Sequence, residues 1–136
     1  MITYKEGDLL KSDCDVICHQ TNCRGVMGSG IAYQIRQIYP YVYESYKRWC
    51  DFLDPELLFG NTAVFPTTLD SEKYIANMFS QLDYLPRGIR HTDYDKFRSC
   101  CVNLKAFVKD CFKDKHVKIG FPYNIGCGLA GGDWNI

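Results

Sequence analysis

Apolar positions along the chain fall into two periods. Short runs rich in β-branched and aromatic residues at 2–4, 16–18, 61–65, 73–79 and 117–121 predict strands, the third and fourth joined as a hairpin through Pro66-Thr-Thr-Leu-Asp70. Ile31, Ile35 and Ile38 recur at helical spacing in a segment expected to run from about Gly28 to the Tyr39-Pro40 break, since proline disfavours helical geometry in the residue before it. Val42, Tyr46, Trp49 and Leu53 predict a covering helix over 42–52, with Lys47 and Arg48 outward. Residues 80–91 are polar and irregular, a surface loop beside the end of the sheet. Thr92 as N-cap with Asp95 three residues on opens the longest helix, whose stripe is Phe97, Cys101, Leu104, Val108 and Cys111. Lys113 and Lys115 lie at its carboxyl end, where positive charge complements the dipole. Strands alternating with helices, without repeat, linker or low-complexity segment, predict an α/β fold in a single domain over 1–136.

Two glycine-rich stretches punctuate this pattern, each after a strand. Residues 19–32 read HQTNCRGVMGSGIA: a strand end, a polar turn and a helix start in fourteen positions. Such a junction points backbone N–H groups outward at a positive helix end, so a phosphate is its natural ligand. Gly25, Gly28 and Gly30 do not follow the dinucleotide order G-x-G-x-x-G, and no G-K-[ST] follows them. A tight connection without a ligand is the alternative. Residues 122–134 form a second glycine loop at an equivalent strand end, and open α/β sheets bind ligands outside the carboxyl ends of their strands. Two such loops facing each other could clasp a diphosphate.

Sixteen basic and sixteen acidic side chains cancel, so nothing in the charge balance favours nucleic acid or an anionic membrane, and any anion site must be local. Eight cysteines without a signal peptide, several inside apolar runs, read as reduced core residues of a cytoplasmic protein. Cys14, Cys18, His19 and Cys23 could be taken as metal ligands, but the chain has no C-x-x-C and no metal or cofactor is expected. No apolar run reaches the roughly eighteen residues of a membrane span.

Gly7-Asp8-Leu9 after the first strand, NCRGVMGSGIAYQI over 22–35 and PYNIGCGLAGGDW over 122–134 resemble the motifs of macro domains. The likeness is to the branch containing glycohydrolases that remove terminal ADP-ribose and phosphatases for ADP-ribose 1″-phosphate. The resemblance implies a three-layer α/β/α mixed sheet that binds ADP-ribose or an ADP-ribosylated substrate. By it, Asp8 accepts from the adenine amino group, Leu9 offers a neighbouring N–H, and Asn22 bonds the distal ribose. Gly28, Ser29, Gly30, Ile31 and Ala32, with Ile125, Gly126, Cys127, Gly128 and Leu129, hold the pyrophosphate through backbone N–H groups. The family pattern places a lysine just after the fourth strand and an aspartate directly after Gly-Cys-Gly-Leu, where this chain has Ser80-Gln81 and Ala130. A covalent lysine mechanism is therefore not expected. The chain is also expected to lack the family's usual last helix and strand, leaving an open sheet edge through which it could self-associate.

Hydrolysis of a group attached to the distal ribose is the expected function, with a non-catalytic ADP-ribose reader as the alternative. His19, at the end of the second strand, matches a histidine of the phosphatase-like members, and an unperturbed pKa of about 6.5 suits general acid–base work; a strand-end histidine is equally a structural hydrogen-bonding residue. Asp133 could act on water or N-cap a helix beginning at Trp134. Cys127 is weighed as a nucleophile because loop N–H groups lower a thiol pKa.

Overall fold

The computed structural model describes residues 3–86, 89–113, 116–123 and 125. Four strands, β1 (Val16–Asn22), β2 (Thr62–Pro66), β3 (Tyr74–Gln81) and β4 (Ile119–Gly120), form one sheet in the order β2-β3-β1-β4. β1 runs parallel to both of its neighbours, and β2 pairs antiparallel with β3 as the hairpin pattern predicts. The helices are α1 (Gly30–Ile38), α2 (Pro40–Phe52), the single turn α3 (Pro55–Leu58) and α4 (Tyr94–Phe112).

Alternation along the strands sends successive side chains to opposite faces, and both faces are covered. Val16 and Cys18 join Ala76 and Met78 under Cys100 and Leu104 of α4. Ile17 and Ile75 lie instead against Ile35 of α1 and Val42 of α2. Further along that second face, Phe79 and Ala63 pack on Tyr46, Leu58 and Met27, with the Tyr46 and Phe79 rings stacked at 5.8 Å. The result is the expected three-layer arrangement, with the core in two slabs on either side of β1 and β3.

The elements depart from the sequence pattern in ways that have local causes. Thr3 and Tyr4 form no strand, and exposed Tyr4 meets Tyr123 edge-on instead. β1 continues past its apolar start through His-Gln-Thr-Asn, with His19 bonded to Asn77 and Gln20 to Gln81 on the neighbouring strand. β4 is shorter than 117–121, and α1 starts at Gly30 rather than Gly28. The cap of α4 is Asp93, whose carboxylate accepts from the Lys96 N–H at 2.9 Å, whereas Thr92 is drawn into a bridge with Gln81. Cys111 is exposed, and its expected place on the stripe goes to Phe112, which meets Tyr74 edge-on at 5.5 Å. The turn α3 was not foreseen, though Asp54-Pro55 supplies a capping carboxylate and a proline at the first helical position.

Truncating Leu104, buried against β1 and β3, should remove about 2–5 kcal/mol of stability in urea unfolding. Cys111→Ala on the exposed side of the same helix should change it by no more than about 0.5 kcal/mol. Equal losses would contradict this assignment of faces.

Candidate functional site at the carboxyl edge of the sheet

Because β1, β3 and β4 are mutually parallel, the segments that follow them leave the sheet at one edge. Asn22 ends β1 there, and its side chain builds the turn that follows. Its Oδ1 accepts from the N–H of Arg24 at 2.9 Å and of Val26 at 3.3 Å, while its Nδ2 donates to the Val26 carbonyl at 2.7 Å. Tyr46 reaches up from α2 and places its hydroxyl 2.8 Å from the Asn22 carbonyl and 2.9 Å from Asn22 Oδ1. Gly25 sits at φ +82°, which favours glycine, and a Cβ there would lie 3.0 Å from the Lys47 side chain, a tight contact that side chain would have to ease.

The turn delivers Gly28, Ser29 and Gly30, all exposed, to the start of α1, with Ile31 and Ala32 half-buried behind them. Ser29 occupies the N-cap but makes no side-chain cap bond, and Gly30 takes φ +59°. The first-turn N–H groups of α1 are thus left for something other than a serine oxygen, in the setting that favours an anion.

Asp8 is exposed, and its Oδ1 accepts from the Leu10 N–H at 3.0 Å, capping a turn of 3-10 helix over Leu9–Lys11. Leu9 abuts the end of β4 so closely that a Cβ on Gly120 would lie 2.7 Å from its Cδ1. The Gly-Asp turn is thereby brought beside the start of the second loop. Ile125 is half-buried against the α4 slab of the core. Gly126, Cys127, Gly128, Leu129 and Asp133 lie outside the described residues, as do Ala130, Trp134 and Lys115.

His19 is fully buried, and Nε2 lies 2.7 Å from Asn77 Oδ1, its register partner on β3. Asn77 donates its own amide to the Ala63 carbonyl at 3.1 Å, which fixes its oxygen toward the ring and hence the proton on Nε2. Burial pushes the imidazole pKa down to about 4, against a smaller opposing effect of the Asn77 bond. Nδ1 and the nearby Thr21 hydroxyl have no partner among the described residues. This is the geometry of the structural alternative weighed for His19: a neutral ring tying β1 to β3.

On the other face, the strand ends carry a neutral network that the sequence pattern did not reveal. Ser80 donates to Gln20 Oε1 at 2.6 Å, Gln20 donates to Gln81 at 2.9 Å and to Thr92 at 3.0 Å, and Gln81 donates to the Asp83 carbonyl at 3.0 Å. A register shift between Thr21 and Asn22 lets both Ser80 and Gln81 reach Gln20. Ser80 and Gln81, expected just after the strand, are in fact its last two residues. Arg24 and Asp83 pair at 3.2 Å, clasping the segments after β1 and β3. Cys14, Cys18, His19 and Cys23 do not converge: among the described residues no group of three His, Cys, Asp or Glu side chains could hold a metal ion. Burial raises the Cys18 and Cys23 thiols, the latter to about 12. No helix of the described residues is long and apolar enough to cross a membrane.

A mixed α/β sheet with an uncapped glycine turn at its carboxyl edge defines a domain suited to an anionic ligand held by backbone. The chain belongs to the Macro domain family, whose sequence model matches residues 18–136. It is 41% identical over 78 residues to the DNA ADP-ribosyl glycohydrolase of Mycobacterium tuberculosis, a match covering 57% of this chain and 22% of that protein. It is 36% identical over 96 residues to the ADP-ribose 1″-phosphate phosphatase of Scheffersomyces stipitis, covering 59% and 56%. The chain thus spans about a fifth and about half of these two relatives' lengths. Among solved structures, the macrodomain of Mycobacterium tuberculosis DarG superposes with a TM-score of 0.82 at 28% identity, covering 99% of this chain and 83% of that one. Thermosipho africanus DarTG in complex with ADP-ribose gives 0.71 at 22% identity, covering 96% and 35%, a likeness of fold.

His19 has a folded-state pKa below its unfolded value, so its contribution to stability is full above pH 6.5 and is lost as pH falls toward 4. Between pH 7 and pH 5 this should cost about 2 kcal/mol. Urea unfolding of His19→Gln, less stable at pH 7, should show a correspondingly weaker pH dependence over that interval. The same pH dependence in both proteins would contradict a buried, neutral His19.

Proposed function

We propose that this domain binds ADP-ribose and hydrolyses a group attached to its distal ribose. The observation that carries the reading is the exposed Gly28-Ser29-Gly30 turn, which opens α1 with no side-chain cap at the carboxyl edge of a macro-type sheet. The pyrophosphate lies against this turn and against the loop containing Ile125, Gly126, Cys127, Gly128 and Leu129. Adenine lies toward Asp8 and Leu9, and the distal ribose toward Asn22. Such a site needs no cation, in keeping with a chain of zero net charge.

Ser80 and Gln81 offer no amine to attack the sugar, so water is the attacking group. Its oxygen bonds to the anomeric carbon, or to the phosphorus or acyl carbon carried on the ribose, as the bond to the leaving group breaks. Asp133 is the base assigned to that water, because His19 is buried and keeps its Nε2 proton for Asn77. The relatives' names suggest ADP-ribosyl DNA and ADP-ribose 1″-phosphate as the first derivatives to assay. A second reading, a module that binds ADP-ribose and releases nothing, is favoured by the neutral Gln20-Ser80-Gln81 network.

Calorimetry should register ADP-ribose binding by the wild-type chain, with affinity falling about ten- to a hundredfold in Asp8→Ala. No heat at millimolar ligand would end the binding reading. Turnover of DNA-linked, ester-linked, phosphorylated or acetylated ADP-ribose should fall at least about tenfold in Asp133→Ala with affinity little changed. Wild-type protein that binds but releases no product from any of them would give the second reading its place.

A further inference from the structure

Tyr46 lies in the middle of α2, with no sequence motif around it, yet its hydroxyl meets the residue at the tip of the central strand. The side chain is fully buried, its ring stacked 5.8 Å from Phe79, and burial pushes its phenol pKa well up, so it is a neutral O–H donor. That single hydrogen is shared between two acceptors, the Asn22 carbonyl at 2.8 Å and Asn22 Oδ1 at 2.9 Å. Asn22 is itself 6% exposed, so little water competes for these bonds.

The hydrogen-bond inventory of Asn22 then limits what it can offer a ligand. Its Oδ1 already accepts from Arg24 N–H, Val26 N–H and Tyr46 O–H, more contacts than its two lone pairs serve well. Of its two Nδ2 hydrogens, one goes to the Val26 carbonyl and the described residues take no second. Asn22 can therefore present a donor, not an acceptor, and it can recognise a ribose hydroxyl only through that hydroxyl's oxygen. Rotating the carboxamide by half a turn would set its NH₂ against two backbone N–H groups. Tyr46 adds a third donor to the same oxygen and so opposes that rotation.

We propose that Tyr46 is a positioning residue: through its bonds to Asn22 it holds the carboxamide with Nδ2 toward the distal ribose and keeps the turn after β1 in its binding shape. This rests on the ADP-ribose reading above for the identity of the ligand, while the effect on the turn stands apart from it. Tyr43, whose hydroxyl reaches the Gly25 carbonyl at only 3.4 Å, is the internal control.

The test uses the whole chain and the variants Tyr46→Phe, Tyr43→Phe, Asn22→Ala and the Tyr46→Phe/Asn22→Ala double. Tyr46→Phe keeps the ring and its stacking. It should speed amide exchange of Arg24 and Val26 at least tenfold while the amides of β1 and β3 that pair across the sheet stay protected. It should weaken ADP-ribose at least fivefold and ADP, which keeps the diphosphate but lacks the distal ribose, by a clearly smaller factor. On an Asn22→Ala background, which keeps only the bond to the residue-22 carbonyl, the same change should weaken ADP-ribose by less than it does in wild type, since coupled residues are not additive. Tyr43→Phe should do none of these. A uniform loss of protection, an equal loss for ADP and ADP-ribose, or additive effects in the double variant would each overturn the proposal and leave Tyr46 a packing residue. If wild type binds neither nucleotide, the ligand reading fails, and unchanged exchange at Arg24 and Val26 would then refute the positioning role by itself.

Discussion

β1 is the constraint on which the rest of the structure depends. It pairs in parallel with β3 along its length and with β4 at its start, and is covered on both faces, so an unpartnered polar group on it is costly. The four residues that end it, His19, Gln20, Thr21 and Asn22, are all polar. The partners of His19, Gln20 and Asn22 come from β3, from α2 and from the approach to α4, and those bonds fix where the following chain segments leave the sheet. The glycine turn inherits its position from this arrangement. Asn22 shapes it from within, Tyr46 supports it from below, and the Lys47 side chain packed on Gly25 closes it from the side.

Among the described residues, the base of this edge carries no unpaired charge. His19 is neutral, Gln20, Ser80 and Gln81 are bonded to one another, and Arg24 is matched by Asp83. In the function proposed above, attraction for an anion at this edge comes from oriented N–H groups of the turn and the first turn of α1, which are short-ranged and directional. Such a site discriminates by shape and by the spacing of acceptor oxygens. That distinguishes it from a basic patch, whose affinity follows total charge and collapses with salt.

Much of the fold was legible because its hydrophobic periods are clean. Ile31, Ile35 and the proline at 40 bounded α1, and Phe65 and Ile75 marked the hairpin whose antiparallel pairing the sheet displays. The errors arose where polar residues serve regular structure. Gln20 to Asn22 read as a turn because the side chains that hold Gln20 in the strand, Ser80, Gln81 and Thr92, lie 60 to 72 positions away, and no local window contains them. Thr92 and Asp93 are adjacent plausible caps, and the choice between them was made by Gln81. At the site, the glycines declared themselves by type, since turns need them. Tyr46 did not, because a tyrosine at helical spacing in an amphipathic segment reads as core, and only its hydroxyl distinguishes it. His19 was legible as a residue of note but not as a buried one, since burial at a strand end depends on what packs over it.

If backbone groups at the carboxyl edge hold ADP-ribose, as proposed, amide chemical-shift mapping on titration with ADP-ribose will put the largest shifts on Leu9 and on Ser29, Gly30, Ile31 and Ala32, with the α4 face silent. Shifts confined to α4, or none at saturating nucleotide, would contradict it.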